Sequence, residues 1–181
     1  MLDLFFQDGF SVYLDDETEE DVIELHRWFL SQDPERVTCR PVPDYNEEEV
    51  IKRYRKRNEN SGIARFAVRR VGDKKLLGRI TYFDINPRNG SAEVGYMIGA
   101  EFQGNGYATE AMIMLISHLF GDLGLRKISA QTGEFNKPSV ALLKKLGFKQ
   151  DGRLRQHHEL DGKFYDDLIF SLFSGEFLLN K

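Results

Sequence analysis

The chain has 181 residues, of which 41% are hydrophobic and 30% charged, and its formal net charge is −4. These values predict one globular domain over residues 1–181 and exclude a disordered chain. The small negative charge argues against direct nucleic-acid binding, which needs a basic surface. No apolar run reaches the about 20 residues that cross a bilayer, and the N-terminus lacks the basic start of a signal peptide. Cys39 is the only cysteine, so we expect a cytoplasmic protein without a membrane segment, disulfide or zinc site.

Two helices are predicted in the N-terminal third of the chain. Thr18 and Asp21 have the spacing of a capping box, which opens a helix that extends to about Leu30. The proline-rich segment Thr38–Tyr45 is interpreted as a connection. The following stretch, NEEEVIKRYRKRNEN, begins with acids and ends with bases, as the helix dipole favours, and its basic cluster is interpreted as a solvated helix face.

After Gly62 the pattern changes to short runs rich in Ile, Val, Phe and Tyr: IARFAVRR, KLLGRITYFDI and AEVGYMIG. Turn signals separate them, which predicts an antiparallel meander. A helix is predicted from Tyr107, then a strand (RKISAQTG), a short helix with Pro138 in its first turn, and a hairpin that turns at Asp161-Gly162. The first of these helices has an apolar stripe of Ala108, Ala111, Met112, Leu115, Ile116 and Leu119. This order predicts an α/β (α+β layered) fold built on one sheet.

The glycine loop, Gln103–Ala108 with the sequence QGNGYA, places two glycines between a predicted strand and a helix N-terminus. Unpaired N–H groups at such a position favour an anion such as phosphate. A P-loop is excluded, because no lysine follows these glycines until Lys127. A dinucleotide fingerprint is excluded, because Thr109 occupies the position of its third glycine. On this evidence a phosphate-binding loop and an ordinary surface turn both stay open.

The glycine loop resembles the Q/R-x-x-G-x-G/A signature of the GNAT superfamily of acyl-CoA-dependent N-acetyltransferases. The segments AEVGYMIGAEFQGNGYATEAM, NKPSVALLKKLGF and LDGKFYDDLIFSL resemble its RimJ/RimL-like branch, which acetylates ribosomal-protein N-termini, and the match runs in order from about Ile80 to Phe173. The resemblance implies a single GNAT domain over residues 1–181. Its fold would be a mixed, mostly antiparallel central sheet of about seven strands, flanked by helices and splayed at the acyl-CoA site.

The resemblance also implies a binding site for acetyl-CoA, without a metal. Backbone amides of the glycine loop would hold the CoA pyrophosphate, and Met97 and Ile98 would offer free backbone groups to the pantetheine amides. The Ile98 amide would also polarise the thioester carbonyl. Asn136 would contact the pantetheine arm, with helix capping as its other role. The implied cofactor-binding residues are Met97, Ile98, Gln103, Gly104, Asn105, Gly106, Tyr107, Ala108 and Asn136.

Acetyl transfer to an amine needs a base, a stabilised oxyanion and a leaving thiolate. Glu93 is the first candidate base, with an exposed strand residue as the alternative reading, and Asp84 and Glu134 are weaker candidates. Many family members place a tyrosine acid seven residues after the asparagine, but this chain has Leu143 there. Ser139 is therefore the preferred acid or hydrogen-bond donor to the thiolate, although serine is also common in a first helical turn.

The expected reaction is direct attack by an amine in a ternary complex, preferably by a protein or peptide N-terminal α-amino group. A small amine such as spermidine or an amino-sugar is the alternative acceptor, and a catalytically inactive CoA-binding regulatory module is the alternative class. Pro41–Tyr45 and the terminal hairpin are expected to contact the acceptor, and His157 or Tyr165 could line its entrance. The apolar final strand belongs either to the sheet core or to a homodimer contact.

Overall fold

The computed structural model describes residues 7–31, 43–58 and 62–177. Its centre is one sheet with the strand order β1-β2-β3-β4-β5-β7-β6. The strands are β1 (Val12–Asp16), β2 (Ala64–Arg70), β3 (Leu76–Asn86), β4 (Ser91–Ile98), β5 (Lys127–Gly133), β6 (Lys149–Leu160) and β7 (Lys163–Phe173). The β4–β5 pair is parallel and every other neighbouring pair is antiparallel. This confirms the predicted mixed, mostly antiparallel sheet of seven strands.

Within the described residues, four α-helices flank the sheet: α1 (Glu19–Ser31), α2 (Glu47–Asn58), α3 (Tyr107–Ser117) and α4 (Lys137–Lys145). The predicted capping box opens α1, since the Thr18 amide donates to Asp21 Oδ2 at 2.8 Å and the Asp21 amide donates to Thr18 Oγ1 at 3.2 Å. Most of the predicted connection Thr38–Tyr45, including Cys39, lies outside the described residues. Within the described part of the chain, no helix is long and apolar enough to span a membrane.

The first strand, β1, is missing from the residue-level prediction. It pairs antiparallel with β2 and buries Val12 and Leu14 almost completely. Its alternating pattern is short and runs into the acidic residues Asp15 and Asp16, just before the capping box of α1. Asp15 accepts a hydrogen bond from Arg69 Nε on β2 at 3.0 Å. A strand with only two core side chains gives too weak a period to be found from the sequence.

Helix α3 covers one face of the sheet with the stripe that its sequence predicts. Ala111, Met112, Leu115, Ile116 and Leu119 are at most 1% exposed. Ala108 is only partly buried, because it lies in the first turn, beside the glycine loop. The α-helix ends at Ser117, and a π-helical turn continues to Asp122 before β5 begins.

The apolar final strand β7 lies inside the sheet, between β5 and β6. Phe170 and Leu172 are fully buried. β5 pairs with Asp167–Phe173 of β7, and β6 pairs with β7 on its other side. The sheet core therefore explains the apolar composition of this strand, and the possible homodimer stays a prediction.

Candidate active site

A gap opens in the sheet where the parallel strands β4 and β5 separate. They pair at only three positions, Ser91–Glu93 with Lys127–Ser129, although β4 continues to Ile98 and β5 to Gly133. A cavity of about 960 Å³ lies at this gap. Its walls include the separated halves of both strands, part of β3, the glycine loop, α4 and the hairpin residues His157 and His158.

The backbone of β4 faces the gap at alternate residues. The Gly99 amide donates to the Leu77 carbonyl on β3 at 2.9 Å. In an antiparallel ladder such pairs occur at every second residue, so Met97 also pairs with β3 while Ile98 faces the gap. The Ile98 carbonyl accepts a hydrogen bond from Gln103 Nε2 at 3.0 Å. The amide of Ile98 is therefore the group left for a ligand, which differs from the expectation that Met97 and Ile98 both present free backbone groups.

The glycine loop needs both of its glycines for their backbone conformation. Gly104 has φ +80° and Gly106 has φ +85°, in the left-handed region that glycine tolerates best. A Cβ at either position would meet nothing within 4 Å, so crowding does not explain them. Asn105 stabilises the loop, because its Nδ2 donates to the carbonyls of Phe102 at 3.0 Å and Gln103 at 3.2 Å.

This conformation leaves a row of N–H groups at the start of α3. Among the residues that the structure describes, the amides of Gly104, Gly106, Tyr107 and Ala108 make no loop or turn hydrogen bond to a backbone carbonyl, whereas the Thr109 amide donates to the Gly106 carbonyl at 2.9 Å. Gln103, Gly104, Gly106, Tyr107 and Ala108 all line the cavity. A helix N-terminus with unpaired amides and a positive dipole end attracts an anion, so this row has the chemistry of a phosphate site.

Asn136 caps helix α4 on the opposite wall of the gap. Its Oδ1 accepts a hydrogen bond from the Ser139 amide at 3.2 Å, and Pro138 occupies the first turn. Asn136 and Ser139 also line the cavity. The capping bond fixes the first turn of α4 and therefore fixes where the Ser139 hydroxyl lies.

The Ser139 hydroxyl contacts a tyrosine that the sequence analysis missed. Tyr96 on β4 places its hydroxyl 2.8 Å from Ser139 Oγ. Burial raises the pKa of Tyr96 to about 12, although the hydrogen bond with Ser139 partly opposes this shift. Leu143, which stands where many family members have a tyrosine, is fully buried in the core. No local pattern points to Tyr96, because it is 43 residues away from its partner along the chain.

Glu93 lies at the closed end of the gap. Its neighbours Ala92 and Val94 pack into the core under α3, so by strand alternation Glu93 points to the other face of the sheet. It lines the cavity there, together with Gln131 of β5. Asp84 and Glu134, the weaker candidate bases, do not line the cavity. Glu134 instead accepts hydrogen bonds from Arg153 Nη1 and the Asp166 amide, at 3.1 and 3.2 Å.

A second group of polar and aromatic residues, the hairpin wall, lies on the side of the cavity formed by β5 and the β6–β7 hairpin. It consists of Gln131, Phe135, His158 and Asp167. Asp167 is fully buried; its Oδ2 accepts a hydrogen bond from Gln131 Nε2 at 2.7 Å, and its Oδ1 lies 3.4 Å from His158 Nδ1. The ring of Phe135 packs edge-on against His158 at 4.7 Å. All but Asp167 line the cavity, and Asp167 holds Gln131 by a hydrogen bond.

The two residues expected to line the entrance for the acceptor, His157 and Tyr165, lie in different places. His157 is exposed and lines the cavity, whereas Tyr165 does not line it and instead packs behind Phe135 at 5.3 Å. Gly133 makes this aromatic arrangement possible, because a Cβ there would lie 2.4 Å from the Phe135 ring. Within the described residues, no three His, Cys, Asp or Glu side chains come together as metal ligands. Part of the expected acceptor contact Pro41–Tyr45 lies outside those residues.

The comparison with known families agrees with this geometry. Residues 12–149 match the model of the acetyltransferase (GNAT) domain. The chain belongs to the GNAT acetyltransferase family. The matched region includes β4, the glycine loop and α4, which together surround the gap.

Individual relatives match over a shorter region. The chain is 34% identical over 113 residues to the uncharacterised N-acetyltransferase p20 of Bacillus licheniformis, which covers 62% of the chain and 64% of the relative. It is 32% identical over 104 residues to YdaF of Bacillus subtilis (strain 168), a protein named as a candidate ribosomal N-acetyltransferase, with 58% and 57% covered. The chain thus matches about three fifths of the length of these relatives.

Among solved structures, the fold is similar to a spermidine N-acetyltransferase from Vibrio cholerae, determined in complex with CoA and spermine. The TM-score is 0.84 at 23% identity, with 92% of this chain and 97% of the other covered. At this identity the likeness establishes the GNAT fold and no more.

Proposed function

We propose that this protein is an acetyl-CoA-dependent N-acetyltransferase that acts on a primary amine. The observation that carries the proposal is the gap between β4 and β5, with a row of unpaired loop amides at one end and the Ser139 hydroxyl in its wall. An extended thioester with a pyrophosphate at its other end fits a gap of this kind. Membership of the GNAT family supports the same activity.

In this proposal the amides of the glycine loop bind the pyrophosphate of acetyl-CoA. The loop's two side-chain clamps, Gln103 on Ile98 and Asn105 on Phe102, hold those amides in place before the ligand arrives. Asn136 and the Ile98 amide face the pantetheine arm. The Ile98 amide then donates to the thioester oxygen, where negative charge develops as the amine adds.

Glu93 is the proposed proton acceptor and Ser139 the proposed proton donor. A C–N bond forms between the amine and the acetyl carbon, and the C–S bond breaks with its electron pair going to sulfur. Glu93 accepts the proton that the amine releases, directly or through a water molecule. The Ser139 hydroxyl donates toward the departing sulfur. Because the two side chains lie on opposite faces of the gap, each meets one end of the reacting group.

The proposed acceptor is a peptide or protein N-terminal α-amino group, as in the RimJ/RimL-like branch. Among the described residues that line the cavity, Glu93 is the only carboxylate, whereas Lys145 and two histidines also line it. A polyamine carries several positive charges and would be matched better by several carboxylates. An α-amino group, with a pKa near 7.7–8, also loses its proton more easily than an alkylamine. Spermidine or an amino-sugar is the alternative acceptor.

A CoA-binding module without catalysis is the second candidate function. The observation that favours it is Leu143, which is buried in the core where many family members have an acidic tyrosine. In that case Ser139 would only cap and pack, and the cavity would bind CoA without turnover.

One assay separates these possibilities. Thiol release from acetyl-CoA is measured with Ser-, Ala- and Met-initiated peptides, with spermidine and with glucosamine, and CoA affinity is measured by calorimetry. We expect release with the peptides. Release with spermidine or glucosamine alone would replace the proposed acceptor. Tight CoA binding without release for any of these amines would instead support the binding module.

A further inference from the structure

We propose that Tyr96 is a positioning residue for acetyl transfer, which donates its hydroxyl hydrogen to Ser139 Oγ and so turns the Ser139 hydrogen toward the thioester sulfur. The inference rests on the proposed function and adds to it a residue from a different strand. Both side chains line the cavity, and the distance between their hydroxyl oxygens is 2.8 Å.

Two features make Tyr96 the donor of this pair. Its pKa of about 12, raised by burial, keeps the phenol protonated throughout the physiological range. Its hydrogen has two possible acceptors on Ser139, Oγ at 2.8 Å and the backbone carbonyl at 3.5 Å, and the shorter distance favours Oγ. If Tyr96 donates to Oγ, the single hydrogen of Ser139 must point elsewhere.

The position of the pair directs that hydrogen into the gap. The Ser139 amide is engaged by Asn136 Oδ1, which holds the first turn of α4 against the cavity. Tyr96 approaches from β4, on the same wall as the Ile98 amide that faces the thioester. The Ser139 hydroxyl thus lies between a fixed donor on one side and the open gap on the other.

The Tyr96–Ser139 pair supplies the proton donor that Leu143 cannot provide. When the C–S bond breaks, the electron pair on sulfur takes the hydrogen of Ser139 Oγ, and Ser139 then regains a hydrogen from solvent while Tyr96 keeps its own and still donates to Oγ. Glu93 passes the proton lost by the amine to solvent, so charge and protons balance. A serine hydroxyl alone is a weak acid, and a second hydroxyl behind it stabilises the charge that it transiently carries.

The test is a double-mutant cycle of Y96F, S139A and the Y96F/S139A variant, with the amine that gives the fastest thiol release. We expect Y96F to lower kcat roughly three- to tenfold, the effect of losing one hydrogen bond, with the KM for acetyl-CoA unchanged. S139A should lower kcat by at least as much. The double variant should match S139A within about twofold, because Tyr96 acts only through Ser139.

Y82F is the matched control. Tyr82 is a partly buried tyrosine on the neighbouring strand β3 and does not line the cavity, so its substitution should leave kcat unchanged. An equal loss of kcat in Y82F would overturn the proposal, as would wild-type kcat in Y96F. Effects of Y96F and S139A that multiply in the double variant would also overturn it, since the two residues would then act separately.

A second substitution covers the case in which Y96F does not fold. Fluorotyrosine at position 96 keeps the ring and makes the hydroxyl more acidic, so kcat should change in the wild-type background and not in S139A. If the unmodified protein releases no thiol with any amine, the proposed function fails. If it is active and position 96 has no effect on kcat, only the role of Tyr96 fails.

Discussion

The glycine loop and the hairpin wall lie at two ends of one cavity and are built in opposite ways. In the loop, the stabilising side chains contact backbone groups two to five residues away, as Asn105 does with Phe102 and Gln103 does with Ile98. In the wall, Gln131 and Asp167 meet across 36 residues of chain. The loop therefore has a sequence signature and the wall has none. This difference predicts that the loop determines which cofactor binds, while residues brought together by the sheet determine the chemistry.

The largest expected effect is on catalysis, at the face of the sheet that Glu93 shares with Gln131. Glu93→Gln keeps the size and polarity of the side chain but removes its ability to accept a proton. We expect kcat to fall about a hundredfold, within the range for loss of a general base, with little change in CoA affinity. Steady-state kinetics with the fastest amine, together with calorimetry for CoA, measures both quantities.

Glu134→Gln is the control for that substitution, because Glu134 lies just beyond β5 but outside the cavity wall. It should retain near wild-type kcat. If Glu134→Gln loses activity and Glu93→Gln does not, the base has been assigned to the wrong carboxylate. The contrast between a glycine loop that binds the cofactor and a sheet face that carries the chemistry would then also need revision.

The second effect is on cofactor affinity, at the glycine loop. Gly106→Ala places a side chain on a residue with φ +85°, at a cost of about 1–2 kcal/mol that the loop can relieve by turning its amides away from the ligand. We expect CoA to bind about tenfold more weakly, with kcat at saturating acetyl-CoA changed less than twofold. Titration calorimetry and steady-state kinetics test this.

Gly72→Ala is the matched control, since Gly72 lies in a turn between β2 and β3, without a positive φ and with no atom near an added Cβ. Its CoA affinity should equal that of the wild type. Unchanged CoA affinity in Gly106→Ala would mean that the amides of the loop do not contact the cofactor.

The same contrast explains which features of the fold and the site can be predicted from the sequence. Thr18 and Asp21, Asn136 and Ser139, and the stripe of α3 are interactions within one or a few turns, and their spacing predicts them. Tyr96 and Asp167 were missed because a tyrosine or an aspartate on a strand has no distinctive spacing, and its partner comes from another element. Strand β1 was missed for a different reason, since two buried residues are too few to establish a period.

The smallest effect is on stability, at the hairpin wall. Asp167→Ala removes the acceptor of Gln131 Nε2 from a buried site, whereas Asp167 Oδ1, 3.4 Å from His158 Nδ1, makes no hydrogen bond that could be lost. An unmatched donor in a buried site costs about 1–3 kcal/mol, so the free energy of unfolding measured by urea denaturation should fall by that amount. Glu159→Ala is the control in the same hairpin. Glu159 is exposed and accepts only from the Gly162 amide in the turn among the hydrogen bonds of the described residues, so its loss should cost at most about 1 kcal/mol. Equal losses in the two variants would mean that burial does not distinguish the wall from the surface, and the wall would then not be the rigid support that places Gln131 at the cavity.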